Sequence, residues 1–249
     1  MKPFLFVTDL DHTLVGDKEA LIKLNHKLDK HRNEYGTKIV YATGRSLDLY
    51  KELLVDQPLL TPDALVTSVG TEIYFDCQKY IIDSEWSEKL SFAWNRNMVV
   101  EIAASFRELL PQQQSEQRPF KASYLLTEED SVKVIPRLKS DLANEDLKFN
   151  LIYSGGKDLD ILPVYADKGL AVKFLQCKWQ MDSLSTVVCG DSGNDLALFN
   201  AGEERGIIVG NARPELLNWH NANLKNYRYL AKSSYANGIL EGLDYFKFI

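Results

Sequence analysis

The chain has 249 residues, enough for one large or two small domains, and 45% of them are hydrophobic, as in an ordinary globular protein. Its formal net charge of -6 at pH 7 argues against nucleic acid or an anionic membrane surface as the main partner. The three cysteines are far apart and the first apolar run is short, which favours a reducing, cytoplasmic setting over a secreted or membrane-spanning protein.

The first 75 residues alternate short apolar runs with helix-like stretches. We predict strands at 4–7, 38–42 and 64–67, and helices at 18–34 and 46–56. Strands that alternate with helices form βαβ units, and successive units build a parallel sheet. This part of the chain is therefore predicted to belong to an α/β core.

The pattern changes in the middle of the chain. Strand-like segments at 121–126, 149–153 and 159–162 surround helices near 97–110 and 130–143. This order predicts an antiparallel sheet backed by two helices, which would form a separate α+β cap.

Two smaller features of this middle part are predicted to have structural rather than functional roles. Trp86, Trp94 and Phe120 are predicted to pack in the hydrophobic core of the cap rather than to stack on a sugar. The glutamine-rich run at 112–117 is predicted to be a solvated surface loop.

The alternation of strands and helices returns after residue 163. The predicted elements of this part are helices at 167–179, 195–202, 213–220 and from 236, and strands at 185–189, 207–209 and 229–231. The predicted fold is α/β, with a Rossmann-like parallel-sheet core interrupted by the inserted α+β cap. The core comprises residues 1–85 and 163–249, and the cap comprises residues 86–162.

Two of the predicted core strands end in pairs of carboxylates. Asp9 and Asp11 follow the first strand, and Asp191 and Asp195 follow the strand at 185–189. The carboxyl ends of parallel strands meet at the edge where α/β folds bind ligands, so these four side chains should lie together. Clustered carboxylates repel one another unless a cation neutralises them, and oxygen ligands suit Mg²⁺. We predict that all four aspartates form a magnesium site.

The same residues could hydrolyse a phosphate monoester, which needs a nucleophile, an acid for the leaving alcohol and donors for the phosphate oxygens. Asp9 is placed as the nucleophile, and Asp11 as the acid that later activates water. Lys168 begins an apolar-periodic helix, where the helix dipole disfavours a cation, so we predict that it faces phosphate and the acidic residues.

A further turn has the composition of an anion site. Thr43, Gly44 and Arg45 follow the strand at 38–42 and open a helix, where a hydroxyl and backbone N–H groups can bind phosphate. Asn194, beside the second acidic pair, is also assigned to substrate binding. Thr43 is assigned a catalytic role.

Taken in order, the string Asp-Leu-Asp-His-Thr at 9–13, the Thr-Gly-Arg turn, the isolated Lys168 and the string Gly-Asp-Ser-Gly-Asn-Asp at 190–195 resemble the four motifs of the haloacid dehalogenase superfamily. The resemblance covers essentially the whole chain. It implies a Mg²⁺-dependent phosphotransferase with an aspartyl-phosphate intermediate. The cap falls between the second and third motifs, as in the sugar-phosphatase branch.

Three strings, at 41–46, 70–74 and 155–163, resemble the sucrose-phosphatases within that branch. This resemblance implies that the small-molecule substrate is sucrose-6-phosphate. The residues it assigns to sugar binding are Thr71, Glu72, Lys121, Lys157 and Asp158. It also implies a monomer that docks transiently onto sucrose-phosphate synthase.

Other functions stay open at this point. The same mechanism could act on mannosylglycerate phosphate or a hexose phosphate. A phosphosugar mutase is disfavoured because it must retain and reorient its product, and a dehalogenase is disfavoured because that branch lacks the aspartate present here as Asp11. A non-catalytic docking module is a third possibility, against which the intact aspartates and Lys168 argue.

Overall fold

The computed structural model describes residues 2–249. Its strands are β1 (Leu5–Thr8), β2 (Lys38–Ala42), β3 (Ala64–Thr67), β4 (Glu72–Asp76), β5 (Ile81–Ile82), β6 (Leu110–Pro111), β7 (Ala122–Leu125), β8 (Phe149–Ser154), β9 (Asp158–Pro163), β10 (Thr186–Gly190), β11 (Arg205–Ile208) and β12 (Arg228–Leu230). Its helices are α1 (Lys18–Tyr35), α2 (Leu47–Asp56), α3 (Ser84–Ser91), α4 (Arg96–Ala103), α5 (Glu128–Asn144), α6 (Lys168–Trp179), α7 (Leu196–Asn200), α8 (Pro214–Ala222) and α9 (Tyr235–Tyr245). Within residues 2–249, none of the helices combines the length and the apolar character that crossing a membrane requires.

Eight strands form one large sheet in the order β12-β11-β10-β1-β2-β3-β4-β5. The six strands from β12 to β3 are parallel, whereas β4 and β5 add an antiparallel edge. The strand order reverses at β1, whose neighbours are β2 on one side and β10 on the other. A reversal of this kind leaves a crevice at the carboxyl ends of the strands. The predicted parallel core is confirmed, and the crevice lies beyond Thr8, Ala42 and Gly190.

Helices cover both faces of this sheet, which explains why β1 is continuously hydrophobic rather than alternating. Leu5 and Val7 pack on one face with residues of α6, α7 and α8. Phe4 and Phe6 pack on the other face with residues of α1 and α9. Burying side chains of this size contributes about 1.5–3 kcal/mol each. The strand ends that carry the acidic residues are therefore fixed from both sides.

The cap has a four-stranded antiparallel sheet in the order β6-β7-β9-β8. The predicted antiparallel pairing is present, and three of the four strands correspond to the predicted strand-like segments. Helices α4 and α5 supply Val99, Val134 and Leu138 to a separate hydrophobic cluster on this sheet. Strands β8 and β9 form a hairpin, and its turn uses Gly155 and Gly156 with φ of 61° and 68°. These glycines adopt the left-handed conformation without steric cost, so the hairpin can turn tightly.

Some elements differ from those predicted. Strands β4, β5 and β6 and helix α3 were not predicted, and α4 ends at Ala103 rather than near residue 110. Helix α3 crosses the predicted boundary at residue 85. Its Trp86 was assigned to the cap core, but it is buried in the cluster of the large sheet and donates its indole N–H to the carbonyl of Gly70. Phe120 also packs against that cluster, whereas Trp94 packs in the cap cluster.

Candidate active site

A cavity of about 420 Å³ lies between the crevice of the large sheet and the cap. Its walls are mostly polar. The core contributes Asp9, Asp11, His12, Gly44, Arg45, Leu49, Asp191, Ser192, Asn194 and Arg213. The cap contributes Gln112, Gln113, Glu116, Lys121, Ser123, Ser154, Gly155, Lys157, Asp158 and Asp160.

Asp9 lies at the floor of this cavity, directly after β1, and its backbone N–H donates to the carbonyl of Cys189 at 3.0 Å. Lys168 is fully buried and donates from Nζ to Asp9 Oδ1 at 2.7 Å and to Asp195 Oδ1 at 2.7 Å. It also donates to Asn194 Oδ1 at 3.0 Å.

The position of Lys168 has a local cause. Asp167 caps α6 by accepting from the N–H of Leu170, which fixes the first helical turn beneath the acidic residues. Burial opposes the charge on Lys168, but the carboxylates of Asp195 and Asp9 outweigh it and hold the pKa of the ammonium group above its usual value. Lys168 therefore stays cationic and partly neutralises the cluster, as its place in the sequence predicted.

Carboxylate oxygens of Asp9, Asp191 and Asp195 lie within 4.8 Å of one another. Asp191 Oδ1 accepts from the hydroxyl of Thr13 at 3.0 Å. Asp195 Oδ2 accepts from the backbone N–H groups of Asp191 at 2.9 Å and Ser192 at 3.1 Å, so it holds its own loop together. Gly190 is required here, because a Cβ at this position would lie 2.6 Å from the carboxyl carbon of Asp195.

These carboxyls are not neutralised by protein groups alone. Burial, followed by the charge of Asp195, raises the pKa of Asp9 although Lys168 opposes the rise. Burial and repulsion from Asp195 and Asp9 also raise the pKa of Asp191. Three clustered carboxylates beside one lysine leave negative charge to be balanced, and an oxygen-only donor set is the kind that Mg²⁺ prefers. The residues present therefore fit a divalent cation.

Asp11 was predicted to be a fourth metal ligand, but the structure places its side chain outside this cluster. Its carboxylate accepts from Arg45 through two parallel hydrogen bonds, Nε to Oδ2 at 2.7 Å and Nη2 to Oδ1 at 2.8 Å. Arg45 also donates to the carbonyl of Leu49. A bidentate guanidinium–carboxylate pair is strong and directional. Arg45 lines the cavity as predicted, but two of its donor groups are directed to Asp11 and a third to Leu49.

The turn between β2 and α2 is built as predicted, although not every residue faces the cavity. Gly44 and Arg45 line it, whereas Thr43 is fully buried behind the turn and accepts from the N–H of Arg45. Ser46 caps α2, and its own N–H donates to Glu116 of the cap at 3.2 Å. The cap thus contacts the predicted phosphate-binding turn directly.

Thr71 and Glu72 do not line the cavity, contrary to the sequence prediction. Thr71 is buried and donates to the carbonyl of Ser68. Glu72 is 2% exposed, and its Oε1 accepts from Arg118 of the cap at 2.7 Å while Oε2 accepts from two neighbouring hydroxyls. Glu72 lies in β4, an element absent from the prediction, and its contact with Arg118 joins core to cap.

The remaining sugar-binding candidates lie where they were predicted. Lys157 and Asp158, at the turn and start of the β8–β9 hairpin, line the cavity. Lys121 is only 2% exposed; its Nζ donates to Glu116 at 2.8 Å and lies 3.7 Å from Asp160 Oδ1. This buried cation is held between two carboxylates of the cap.

The run at 112–117 is not the solvated loop that was predicted. Gln112 donates to Asp158 Oδ1 at 3.0 Å, and Glu116 is 5% exposed and faces both Lys121 and Ser46. The run folds back along the cap sheet, because the N–H of Gln112 donates to the carbonyl of Ser123. Composition could not indicate that this run lines the cavity, since a polar run is equally compatible with solvent and with a polar cavity.

Further cavity residues were missed by sequence reasoning, and two of those on the cap, Ser123 and Asp160, had a detectable signal. Lys121 and Ser123 are two apart, as are Asp158 and Asp160, and strand residues two apart face the same side. Ser123 pairs with Asp160 in register and donates to its carboxylate. On the core side the missed residues are His12, Leu49, Ser192 and Arg213.

Comparison with known proteins identifies the family of this chain. The family model described as sucrose-6F-phosphate phosphohydrolase matches residues 2–247. The probable sucrose-phosphatase 2 of Arabidopsis thaliana is 39% identical over 252 residues, which cover 98% of this chain and 59% of that relative. The mannosylfructose-phosphate phosphatase of Agrobacterium fabrum is 31% identical, with 98% of this chain and 97% of the relative covered. The chain spans 53–60% of the length of the plant relatives it matches.

Solved structures agree with these relationships. A sucrose-phosphatase from Synechocystis sp. PCC6803, solved in complex with sucrose and phosphate, is 40% identical and superposes with a TM-score of 0.92 over 99% of each chain. Haloacid dehalogenase-like proteins at 14–18% identity have TM-scores of 0.60–0.70 and share the fold. The chain has the haloacid dehalogenase fold and belongs to the sucrose-6F-phosphate phosphohydrolase family.

Proposed function

We propose that this chain is a phosphoric monoester hydrolase that converts sucrose-6-phosphate to sucrose and phosphate. The observation that carries the proposal is the contact of Asp9 with buried Lys168 at the floor of a cavity whose other wall is a polar cap. Membership of the family and likeness to a sucrose-phosphatase solved with sucrose and phosphate support this choice of substrate.

The reaction begins at Asp9. Its carboxylate oxygen attacks phosphorus and forms an aspartyl phosphate, while the bond from phosphorus to the sugar oxygen breaks. Lys168 orients the nucleophile through the contact with Oδ1 and opposes the rise that burial causes in the pKa of Asp9. The turn carrying Gly44 and Arg45, at the start of α2, lies at the cavity wall where it can contact phosphate oxygens.

Asp11 acts as the general acid and then as the general base. It gives one to the departing sugar oxygen and later removes one from the water that attacks the aspartyl phosphate, which frees phosphate and restores Asp9. Arg45 occupies both oxygens of the Asp11 carboxylate in the structure. At least one of these contacts must therefore open before Asp11 can deliver a proton to the departing sugar oxygen.

Mg²⁺ is the proposed cofactor, held by Asp9 and Asp191, with Asp195 fixing the loop that carries Asp191. When bound, it supplies positive charge that allows a phosphate dianion to approach the acidic cluster. Thr13 orients Asp191 for this task through its hydroxyl.

The cap is proposed to bind the sugar. The cavity is lined by charged residues of the cap, among them Lys121, Lys157 and Asp158. Charged groups form stronger hydrogen bonds with sugar hydroxyls than neutral groups do. Residues 86–162 would then act as a specificity domain on a catalytic core formed by residues 1–85 and 163–249. We further propose a cytoplasmic monomer that docks transiently onto sucrose-phosphate synthase.

Two other functions are compatible with the family. A phosphatase for another disaccharide phosphate is favoured by the mannosylfructose-phosphate phosphatase, which matches this chain over almost its whole length. The other is a non-catalytic docking or regulatory module. The intact Asp9, Asp11 and Lys168 argue against a module.

Phosphate release from a panel of sugar phosphates tests the proposal. We expect rapid release from sucrose-6-phosphate with Mg²⁺, and slower release from fructose-6-phosphate, which lacks the glucosyl half. Ca²⁺, which is larger and coordinates more loosely, should bind and inhibit. Preference for a mannosyl disaccharide phosphate would select the second function, and no release from any ester would select the module.

A further inference from the structure

The turn that carries Asp11 has an unusual backbone. His12, between Asp11 and Thr13, has a φ of 60°, in the left-handed region that side-chain-bearing residues adopt infrequently. Such a conformation persists when surrounding contacts hold it, and it is often found beside reacting groups. Asp11 and Thr13 project from this turn toward Arg45 and Asp191 respectively. The backbone conformation of His12 therefore affects the position of Asp11, the proposed acid, and, through Thr13, the orientation of Asp191, the proposed metal ligand.

One side chain from a distant loop holds this turn. Asn211, in the loop between β11 and α8, donates from Nδ2 to the carbonyl of His12 at 2.7 Å. Its Oδ1 accepts from the N–H of Tyr235 at 2.9 Å, at the start of α9. The two bonds use the amide donor and acceptor at once, so the Asn211 side chain is fixed at both ends.

The same loop also contacts the second acidic loop. The N–H of Arg213 donates to the carbonyl of Asp191 at 2.7 Å. The ring of Tyr235 packs closely against Gly16. A Cβ added to Gly16 would lie 2.3 Å from the nearest ring carbon of Tyr235. The loop at 209–213 is thus placed to set the two acidic loops relative to each other.

We propose that Asn211 is a positioning residue, which holds the His12 turn so that Asp11 can reach the leaving oxygen. The proposal rests on the proposed function, and it adds a residue that does not touch the substrate. The amide nitrogen of Asn211 is needed to donate to the carbonyl of His12, whereas the bond from the N–H of Tyr235 requires only a side-chain oxygen. Asn211→Asp therefore keeps the acceptor for Tyr235 and replaces the donor to His12 by a second oxygen.

The test compares two esters. Sucrose-6-phosphate has a poor leaving group that needs a proton, whereas nitrophenyl phosphate has a good one that scarcely does. We expect Asn211→Asp to lower kcat for sucrose-6-phosphate about tenfold with little change in KM, since misplacement of a reacting group acts on the chemical step. Its kcat for nitrophenyl phosphate should change by less than about twofold.

A double-mutant cycle separates positioning from folding. In an Asp11→Asn background, Asn211→Asp should cost less than about twofold on sucrose-6-phosphate, because the acid that it positions is already absent. Asn223→Asp is the matched control: Asn223 also donates from Nδ2 to a backbone carbonyl, that of Trp219 at 2.8 Å, at the exposed end of α8. This control should retain full activity on both esters.

Equal losses on the two esters, or losses that add fully to those of Asp11→Asn, would overturn the role of Asn211. If Asn211→Asp does not fold, Asn211→Ala undergoes the same comparison, and failure of both variants to fold would assign the residue to stability alone. An inactive parent protein, or an Asp11→Asn variant as active as the parent, would instead refute the proposed function and this inference with it.

Discussion

The two aspartates of the first acidic motif have separable tasks. Asp9→Asn should abolish turnover on every ester, because an amide cannot form the aspartyl phosphate. Asp11→Asn should lower kcat on sucrose-6-phosphate by about 10²–10⁴-fold, the usual contribution of general acid–base catalysis. Steady-state rates with nitrophenyl phosphate provide the check, since Asp11→Asn should lose far less there. Equal losses on both esters would contradict the acid role of Asp11.

Titration of the acidic cluster should make Mg²⁺ binding depend on pH. Burial raises the pKa of Asp9 to about 7 and that of Asp191 to about 8, from ordinary values of 3.8. Between about pH 4 and 8 the folded metal-free protein then holds protons that the unfolded chain has released, so this cluster makes stability fall as the pH rises. Mg²⁺ needs the ionised carboxylates, so it should displace those protons and raise the melting temperature more at pH 8 than at pH 6.

Thermal unfolding at both pH values, with EDTA and with Mg²⁺, measures this difference. EDTA should also stop phosphate release, and added Mg²⁺ should restore it. Asp191→Asn removes one of the titrating groups and should flatten the pH dependence of the Mg²⁺ effect. Full activity in metal-free protein would show that Asp9 and Asp191 do not act by holding Mg²⁺.

At the scale of a single element, the β8–β9 hairpin should determine which sugar is hydrolysed. Lys157→Ala or Asp158→Ala should lower kcat/KM for sucrose-6-phosphate at least tenfold, about 1.4 kcal/mol of transition-state stabilisation, because contacts to the remote sugar help to place the ester for attack. Neither variant should affect nitrophenyl phosphate, which has no sugar hydroxyls. Lys139→Ala, on the exposed face of α5, is the control and should behave as the parent.

The comparison of the two esters decides whether the hairpin recognises the sugar. If Lys157→Ala and Asp158→Ala reduced hydrolysis of both esters by the same factor, the hairpin would be needed for folding or cap closure instead.

The strands of the cap illustrate how element-scale patterns carry function. Asp158 and Asp160 on β9 repeat at the spacing of one strand face, as do Ser123 on β7 and Lys121 just before that strand, and all four reach the cavity. Glu116 shows the limit of such patterns, because a short turn has no periodicity that would indicate which way a side chain points. Its contacts with Lys121 and Ser46 required the folded cap.

At the scale of the molecule, core and cap are joined by an ion pair with one buried partner. Glu72 of β4 is 2% exposed and Arg118 of the cap is 26% exposed by side chain, with 2.7 Å between Oε1 and Nε. Arg118→Ala should lower the free energy of unfolding by about 1–3 kcal/mol, because it leaves a buried carboxylate oxygen without its charged partner. Urea denaturation measures the change.

A surface pair on one helix gives the matched control for Arg118. Lys30 and Glu34 are 74% and 46% exposed and lie 3.7 Å apart, so Lys30→Ala should cost only about 0.5 kcal/mol or less. A loss for Arg118→Ala no larger than this would mean that Glu72 and Arg118 contribute no specific contact between core and cap.

The sequence by itself determined the parallel core, the inserted antiparallel cap and the meeting of Asp9, Asp191, Asp195 and Lys168. These features depend on periodicity and on the rule that parallel strands end at one edge, and both can be read along the chain. Family resemblance added the cap hairpin as a sugar-binding candidate.

Only the tertiary structure decided which partners the charged side chains choose. Asp11 pairs with Arg45 instead of joining the acidic cluster, and Glu72 binds Arg118 instead of facing the cavity. A long charged side chain can reach several partners that lie close in space but far apart in sequence. For Glu72, which is buried, the cost of an unpaired charge requires a partner wherever the fold provides one. Asp11 is 42% exposed by side chain, and its pairing follows instead from the match between its two oxygens and the guanidinium of Arg45. No local pattern in the sequence contains that choice.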